Sequence, residues 1–268
     1  VVLVTGATGF VGTHCVRELL EGDYRVRGTV RNKNAAKKVF KLFFSQLIPN
    51  QMSMLMYFKG KVKKMLKALK DVTYVLHVAS PVPVEPNEET IRVALNGTLS
   101  VLRASSHVPT VRKVVMTSSC TAINGEFTKP VRILNRPHLL VNTKQEIDDY
   151  ARSKTLAEKA AWKIYESEER DNKFELTVMN PTLIIGPLIS DADSGSATIV
   201  SRMMSFTTFL AAPPVYIGVV DVRDVAYAHV KALTTTSTNG ERILLTNVPT
   251  VRFRQLTKWL QQEFGRFG

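Results

Sequence analysis

Tyr150-Ala151-Arg152-Ser153-Lys154 sets a phenol and an ammonium four residues apart. On a helix that spacing puts both side chains on one face. A nearby ammonium favours tyrosinate, so the spacing predicts a Tyr150 pKa drawn down from about 10 toward neutrality. Such a phenol can hand its proton to a carbonyl oxygen that is receiving a hydride. The alternative is a solvent-facing helix pair. Upstream, Val114-Val115-Met116-Thr117-Ser118-Ser119 ends an apolar run in two hydroxyls. A serine at such a strand end can hydrogen-bond the substrate oxygen and stabilise developing charge. As a turn or capping residue it would do no chemistry. Cys120 beside it reads as a buried, inert thiol.

A second set of residues suits a dinucleotide. Thr5-Gly6-Ala7-Thr8-Gly9-Phe10-Val11-Gly12 follows an apolar run and opens a helical pattern. Gly6 permits the tight turn, Gly9 lets backbone approach a pyrophosphate, and Gly12 lets helix and strand pack closely. The helix N-terminus then presents unpaired N–H groups to the anion. NAD readers usually carry an acid at the end of the second strand, to hold the ribose 2′-hydroxyl. Here Arg25-Val26-Arg27-Gly28-Thr29-Val30-Arg31 ends in Arg31 with no acid nearby. A guanidinium forks onto a 2′-phosphate, so NADP(H) is the favoured cofactor. Lys38 could add a second positive charge there, although a solvated helix face explains it as well. Asn180-Pro181-Thr182-Leu183-Ile184-Ile185-Gly186-Pro187 could wall a flat nicotinamide ring, with Pro181 and Leu183 as the contacts.

These residues need a scaffold, and the chain supplies one. Strand-like runs at Val1–Val4, Arg25–Val30, Tyr74–Val78, Lys113–Thr117, Glu175–Met179 and Arg242–Leu245 alternate with helical stretches near Thr13–Leu20, Thr90–Ser105 and Tyr150–Glu168. That alternation predicts an α/β fold, a doubly wound parallel sheet with helices on both faces. The Ser-, Thr- and Pro-containing region Ile189–Pro214 reads as a loop-rich insertion of the kind that holds substrates beyond the strand ends. The predicted division is a dinucleotide-binding domain over 1–180, rejoined by 215–232. A smaller substrate lobe takes 181–214 and 233–268, and is expected to continue past Gly268.

Composition narrows the class. At 268 residues, 44% hydrophobic and 22% charged, the chain is long enough for a sizeable core and is not disordered. Two cysteines exclude a disulfide scaffold. No CxxC or Cys/His cluster points to a metal. The chain opens on Val1 with no signal peptide, so a cytoplasmic protein is expected, one that lacks a few native residues before Val1. The net charge of +13 would suit a nucleic-acid or anionic-membrane partner, but it is local. Eleven Lys and Arg residues and no acid lie between Arg31 and Lys70, leaving +2 for the rest. Val39–Phe58, inside that segment, is too polar and interrupted for a transmembrane helix. In Lys59–Lys70 the residues Val62, Met65, Leu66 and Leu69 share a helical stripe. A basic amphipathic helix can lie on a membrane surface; the favoured reading packs the stripe onto the sheet and leaves the lysines solvated.

Taken in order, these motifs resemble the extended short-chain dehydrogenase/reductase family. Val26-Arg27-Gly28-Thr29-Val30-Arg31, Leu76-His77-Val78-Ala79-Ser80-Pro81, Ser153-Lys154-Thr155-Leu156-Ala157-Glu158-Lys159 and Val220-Asp221-Val222-Arg223-Asp224 are similar to strings of its dihydroflavonol reductase and cinnamoyl-CoA reductase group. The resemblance implies a Rossmann fold and NADP(H)-dependent carbonyl reduction, with Ser119, Tyr150 and Lys154 as the catalytic set. It further implies that Val78, Ala79 and Ser80 line the cofactor, that Lys154 also bonds the nicotinamide ribose, and that Asn124 sits near the substrate. His77 and His229 are read as structural. The sequence departs from the family pattern in three places. The acid that meets the adenine amine gives way to a basic stretch around Phe58–Lys64. Thr128–Ile147 is short and basic, and the glutamine that contacts flavonoids is replaced near Gly218.

The expectation is therefore an NADPH-dependent reductase of a ketone or aldehyde on a hydrophobic, aromatic or steroid-like small molecule. It would act as a monomer or homodimer, with no nucleic-acid partner and no membrane span. The alternatives are a nucleotide-binding pseudoenzyme or redox sensor on the same fold, and an enzyme resembling 3β-hydroxysteroid dehydrogenase.

Overall fold

The computed structural model describes residues 1–30, 34, 37, 52–57, 62–82, 85–123, 132–133, 148–167, 171–189, 195–203 and 215–264. Among them, eight strands form one parallel sheet: β1 (Val2–Thr5), β2 (Val26–Val30), β3 (Met52–Tyr57), β4 (Tyr74–His77), β5 (Lys113–Thr117), β6 (Arg132–Ile133), β7 (Glu175–Pro181) and β11 (Arg242–Leu245). Two small sheets pair β8 (Leu183–Ile185) with β10 (Val219–Asp221), and β9 (Tyr216–Ile217) with β12 (Val251–Arg252). The helices are α1 (Phe10–Glu21), α2 (Val62–Ala68), α3 (Glu88–Ser106), α4 (Asp149–Tyr165), α5 (Gly195–Met203), α6 (Val222–Ala232) and α7 (Phe253–Phe264).

Strands covered on both faces read as continuous apolar runs, and β1 and β5 do so. Alternate side chains go to opposite faces. Val2 and Val4 join Cys15, Val16 and Leu19 of α1 and Val225 and Ala226 of α6 in one core. Leu3, between them, joins Leu102 of α3 and Ala157 and Trp162 of α4 in the other. The two cores on either side of one sheet confirm the doubly wound α/β class. A third, small core of Met203, Val219 and Leu256 ties α5 and α7 to the two small sheets.

Helix starts explain the connections. Asn87 caps α3 through a reciprocal pair with Thr90, and Asp148 caps α4 by accepting from Ala151 N at 2.7 Å. Asp221 caps α6 by accepting from Arg223 N at 2.8 Å. At α1 the N-cap is Gly9, with no side-chain cap and no acid in the first turn.

Three expectations change. Ile189–Pro214 is not all loop, because α5 forms within it. Arg242–Leu245, expected in the substrate lobe, pairs with β7 in the main sheet. β3 continues the sheet beyond β2, inside the segment read as a basic–apolar stretch. The favoured reading of that segment holds where it is described: Met65 and Leu69 are buried in the core while Lys64, Lys67 and Lys70 are exposed. Among the described residues no helix is long and apolar enough to cross a membrane.

Candidate active site

The strand order β3-β2-β1-β4-β5-β7 reverses direction between β1 and β4. In doubly wound sheets the crevice beyond the strand ends at that point holds the ligand. The glycine turn follows β1, and Val78–Ser80 follows β4, so the two meet there. Ala79 N donates to Thr5 Oγ1 at 3.0 Å, and Ala7 N donates to Thr29 O at 3.1 Å, pinning the turn to both neighbouring strands. Gly6 has φ +68°, which favours glycine. A Cβ on Gly12 would lie 2.1 Å from Gly6 O, so no other residue fits there without moving the turn. Thr8, Phe10 and Val11 sit half-buried in and after this turn. The uncapped first turn of α1 leaves its N–H groups to an anion.

Further along the same edge, Ser119 leaves β5 and opens a short 3-10 turn, Cys120–Ala122. Its Oγ accepts from Thr121 N at 3.3 Å and Thr121 Oγ1 at 3.0 Å. The capped start of α4 carries Tyr150 across to it, near enough for the Ser119 hydroxyl to favour the phenolate form of the phenol. Lys154, one turn on, is buried, with its Nζ 5.6 Å from the centre of the Tyr150 ring. The structure thus brings Ser119, Tyr150 and Lys154 together.

The electrostatics correct one expectation. The Tyr150 pKa is not lowered; burial pushes it up to about 12, outweighing the Ser119 hydrogen bond that favours phenolate. Burial also brings the Lys154 ammonium down to about 8, against the pull of Glu158. The phenol is a firm holder of its proton, suited to giving it up only to a strongly basic oxygen. Burial likewise raises the Cys120 thiol, which keeps its proton. His77 and His229 are buried and drop to about 4. His229 Nδ1 donates to Val225 O at 2.7 Å, so Nε2 accepts from Thr117 Oγ1. The one neutral ring satisfies both contacts, as a structural histidine should.

Residues 2–245 match the model of the NAD dependent epimerase/dehydratase family. The chain belongs to that family. Among its relatives is cinnamoyl-CoA reductase CAD2 of Medicago truncatula, 34% identical over 92% of this chain and 76% of that protein. Another is the NADPH-dependent methylglyoxal reductase GRE2 of Saccharomyces cerevisiae, 31% identical over 91% and 77%. A crystal structure of the yeast methylglyoxal/isovaleraldehyde reductase Gre2 complexed with NADPH matches with a TM-score of 0.73 at 30% identity, covering 91% of this chain and 77% of that one. The resemblance read from the sequence strings is borne out.

In this family member the other residues singled out from the sequence take up different places around the strand ends. Pro181 ends β7, buried, and Leu183 opens β8, half-buried, so both flank the strand end beside Ser119. His14 Nε2 lies 2.9 Å from Pro187 O and joins α1 to the turn after β8. A Cβ on Gly218 would come within 2.7 Å of Thr182 Cγ2 and Thr246 Oγ1, so close packing accounts for the glycine. Arg31, Lys38 and Asn124 lie outside the described residues, as do the stretches 58–61 and 124–131.

Sequence reasoning missed a buried polar cluster directly behind the site. Glu158, one turn beyond Lys154, accepts from Arg242 Nε at 2.5 Å and Trp162 Nε1 at 3.3 Å on one oxygen. Its other oxygen accepts from Ser118 Oγ at 2.5 Å and Asn180 Nδ2 at 2.9 Å. Asn180 Nδ2 also donates to Ser119 O at 3.0 Å, and both neighbours being acceptors fixes which amide atom is nitrogen. The signal available was a charged residue beside Ala157, Ala161 and Trp162 on the core-facing side of α4. The two hydroxyls at the end of β5 thus divide: Ser118 turns inward to Glu158 and Ser119 outward to Tyr150.

Proposed function

We propose that the protein reduces a ketone or aldehyde group on a hydrophobic small molecule, with Tyr150 as proton donor, Ser119 holding the carbonyl oxygen and Lys154 orienting the nicotinamide ribose. The chain is an oxidoreductase of the extended short-chain dehydrogenase/reductase type, and its cofactor is NADP(H). The residues present fit that group. The glycine turn, packed tightly against α1 at Gly12, and the uncapped N-terminus of α1 suit a pyrophosphate. The absence of an acid after β2, with Arg31 in its place, suits a 2′-phosphate.

When bound, NADP(H) supplies the hydride that becomes the new C–H bond. The chain's own residues manage the oxygen. Ser119 donates to it, and as the C=O π electrons move onto it Tyr150 passes it the phenolic proton, giving an alcohol. Lys154 then steadies the phenolate until solvent returns a proton. The small lobe built on the third core, with β8–β10, β12, α5 and α7, would hold the rest of the substrate.

The observation that carries this reading is the gathering of Ser119, Tyr150 and the buried Lys154, whose Nζ lies 5.6 Å from the centre of the Tyr150 ring, at the same strand-end edge as the glycine turn. The test is titration with NADPH and NADH side by side, followed by NADPH consumption with methylglyoxal, isovaleraldehyde and a set of aromatic aldehydes and ketones. Preference for NADPH and consumption with at least one carbonyl compound are expected. Binding of neither nucleotide would contradict the reading.

A further inference from the structure

We propose that Glu158 is a positioning residue for the reaction: its carboxylate fixes the Ser119 turn relative to Tyr150 and sets a negative charge one helical turn from Lys154. The inference rests on the reading of the site given above and extends it to a group that touches neither substrate nor cofactor.

The geometry is that of a single hub. Glu158 is fully buried and accepts four hydrogen bonds, from Ser118 at the end of β5, Asn180 in β7, Arg242 in β11 and Trp162 on its own helix. Three adjacent strands are thereby joined to the helix that carries Tyr150 and Lys154. Two of the partners pass the constraint on. Asn180 Nδ2 holds Ser119 O at 3.0 Å, and Arg242 Nη2 reaches Ala122 O at 3.4 Å. The turn bearing Ser119 is thus gripped at its first and last residues by side chains that Glu158 itself orients. A buried carboxylate and guanidinium are costly to desolvate, and an apolar pair of similar volume would often serve stability as well. Their placement behind the reacting groups gives a reason for their presence that core packing does not.

Charge supplies the second part. Glu158 stands one helical turn from Lys154 and is the group that opposes the loss of its proton on burial. The other groups around Lys154 do not replace it. His77, from β4, is held neutral by burial and by the lysine's own charge, and Tyr150 and Cys120 are held protonated. Arg242, from β11, is a cation already paired with Glu158.

The test compares kcat/KM against pH for the full chain and for Glu158→Gln, Glu158→Asp, Glu158→Gln with Arg242→Gln, and Tyr150→Phe. The probe is whichever of methylglyoxal, isovaleraldehyde or an aromatic aldehyde the unaltered chain reduces fastest. Glu158→Gln is expected to lower kcat/KM on the order of 10- to 100-fold, as loss of orientation does. Its basic limb should move to lower pH, because Lys154 then loses its proton more readily. Glu158→Asp should keep the limb in place and lose rate only. The double variant, which leaves no unpaired buried charge, guards against misfolding, and its limb should move in the same direction but less, because the loss of the Arg242 cation offsets part of the loss of the carboxylate. An unmoved limb in both Gln-containing variants, or unchanged kcat/KM in Glu158→Gln, overturns the proposal while Tyr150→Phe remains inactive. Activity in Tyr150→Phe, or no turnover of any probe by the unaltered chain, overturns the reading of the site and this proposal with it.

Discussion

Two buried lysines sit at opposite ends of the same sheet, and both are brought down to a pKa of about 8 by burial. Lys113 begins β5 at the N-terminal edge, and Lys154 stands beside the turn that follows the end of β5. Their surroundings differ. Lys113 donates to Thr235 O at 2.9 Å, Thr238 Oγ1 at 2.8 Å and Asn239 Oδ1 at 2.6 Å, which uses all three ammonium protons on fixed oxygens. Lys154 faces an aromatic ring, with a carboxylate one turn behind it. A perturbed pKa therefore does not mark the site; what the ammonium is committed to does. Lys113 is a clamp between β5 and the segment before β11, whereas Lys154 is held next to a proton donor.

The largest expected effect follows from that difference. Lys154→Met should lower kcat/KM by at least about 10²-fold. Lys113→Met should leave kcat/KM within about twofold and lower the unfolding free energy by about 1–3 kcal/mol, the cost of stranding its buried acceptors. Equal losses of activity in the two variants would break the comparison. Steady-state kinetics and urea unfolding of the same preparations decide it.

Acid sensitivity sharpens the contrast, because the polar ends of β4 and β5 are built on neutral histidines. His77 and His229 have folded pKa values of about 4 against about 6.5 for an ordinary histidine. The lower folded value means that their contribution is fully present above pH 6.5 and is lost as pH falls toward 4. Each is worth roughly 3 kcal/mol at most. The unfolding free energy should fall between about pH 7 and pH 4.5, and His229→Gln should flatten that fall. An identical pH slope in the variant would contradict neutral burial. The smallest effect is a control at Gly97 in α3. A Cβ at Gly97 meets nothing within 4 Å, so Gly97→Ala should raise stability by about 0.5–1 kcal/mol without touching activity.

Much of this architecture is legible in the residues. The β-branched runs of β1, β2, β5 and β11 announce buried parallel strands, and the Tyr150–Lys154 spacing announces a shared helix face. β3 does not announce itself, because Met52-Ser53-Met54-Leu55-Met56-Tyr57 has no β-branched residue and runs directly into the lysine-rich stretch that starts at Lys59. The two-residue strands β6, β9 and β12 owe their form to partners rather than to local preference. The Glu158–Arg242 pair joins residues 84 apart, and neither residue type signals burial on its own. The direction of the Tyr150 shift was misread from spacing alone, because the helix places the ammonium correctly but says nothing about how much water the phenol loses. The +13 charge resolves into exposed lysines on α2 over a buried apolar stripe, where that segment is described.

The central claim is that Tyr150 gives its proton to the reduced oxygen, and Tyr150→Phe tests it most directly. Removing one hydroxyl leaves the ring, the helix and the glycine turn in place. The account predicts that kcat/KM falls by at least about 10²-fold while the NADPH dissociation constant changes by less than about threefold. Turnover at the rate of the unaltered chain, with NADPH still bound, would contradict it.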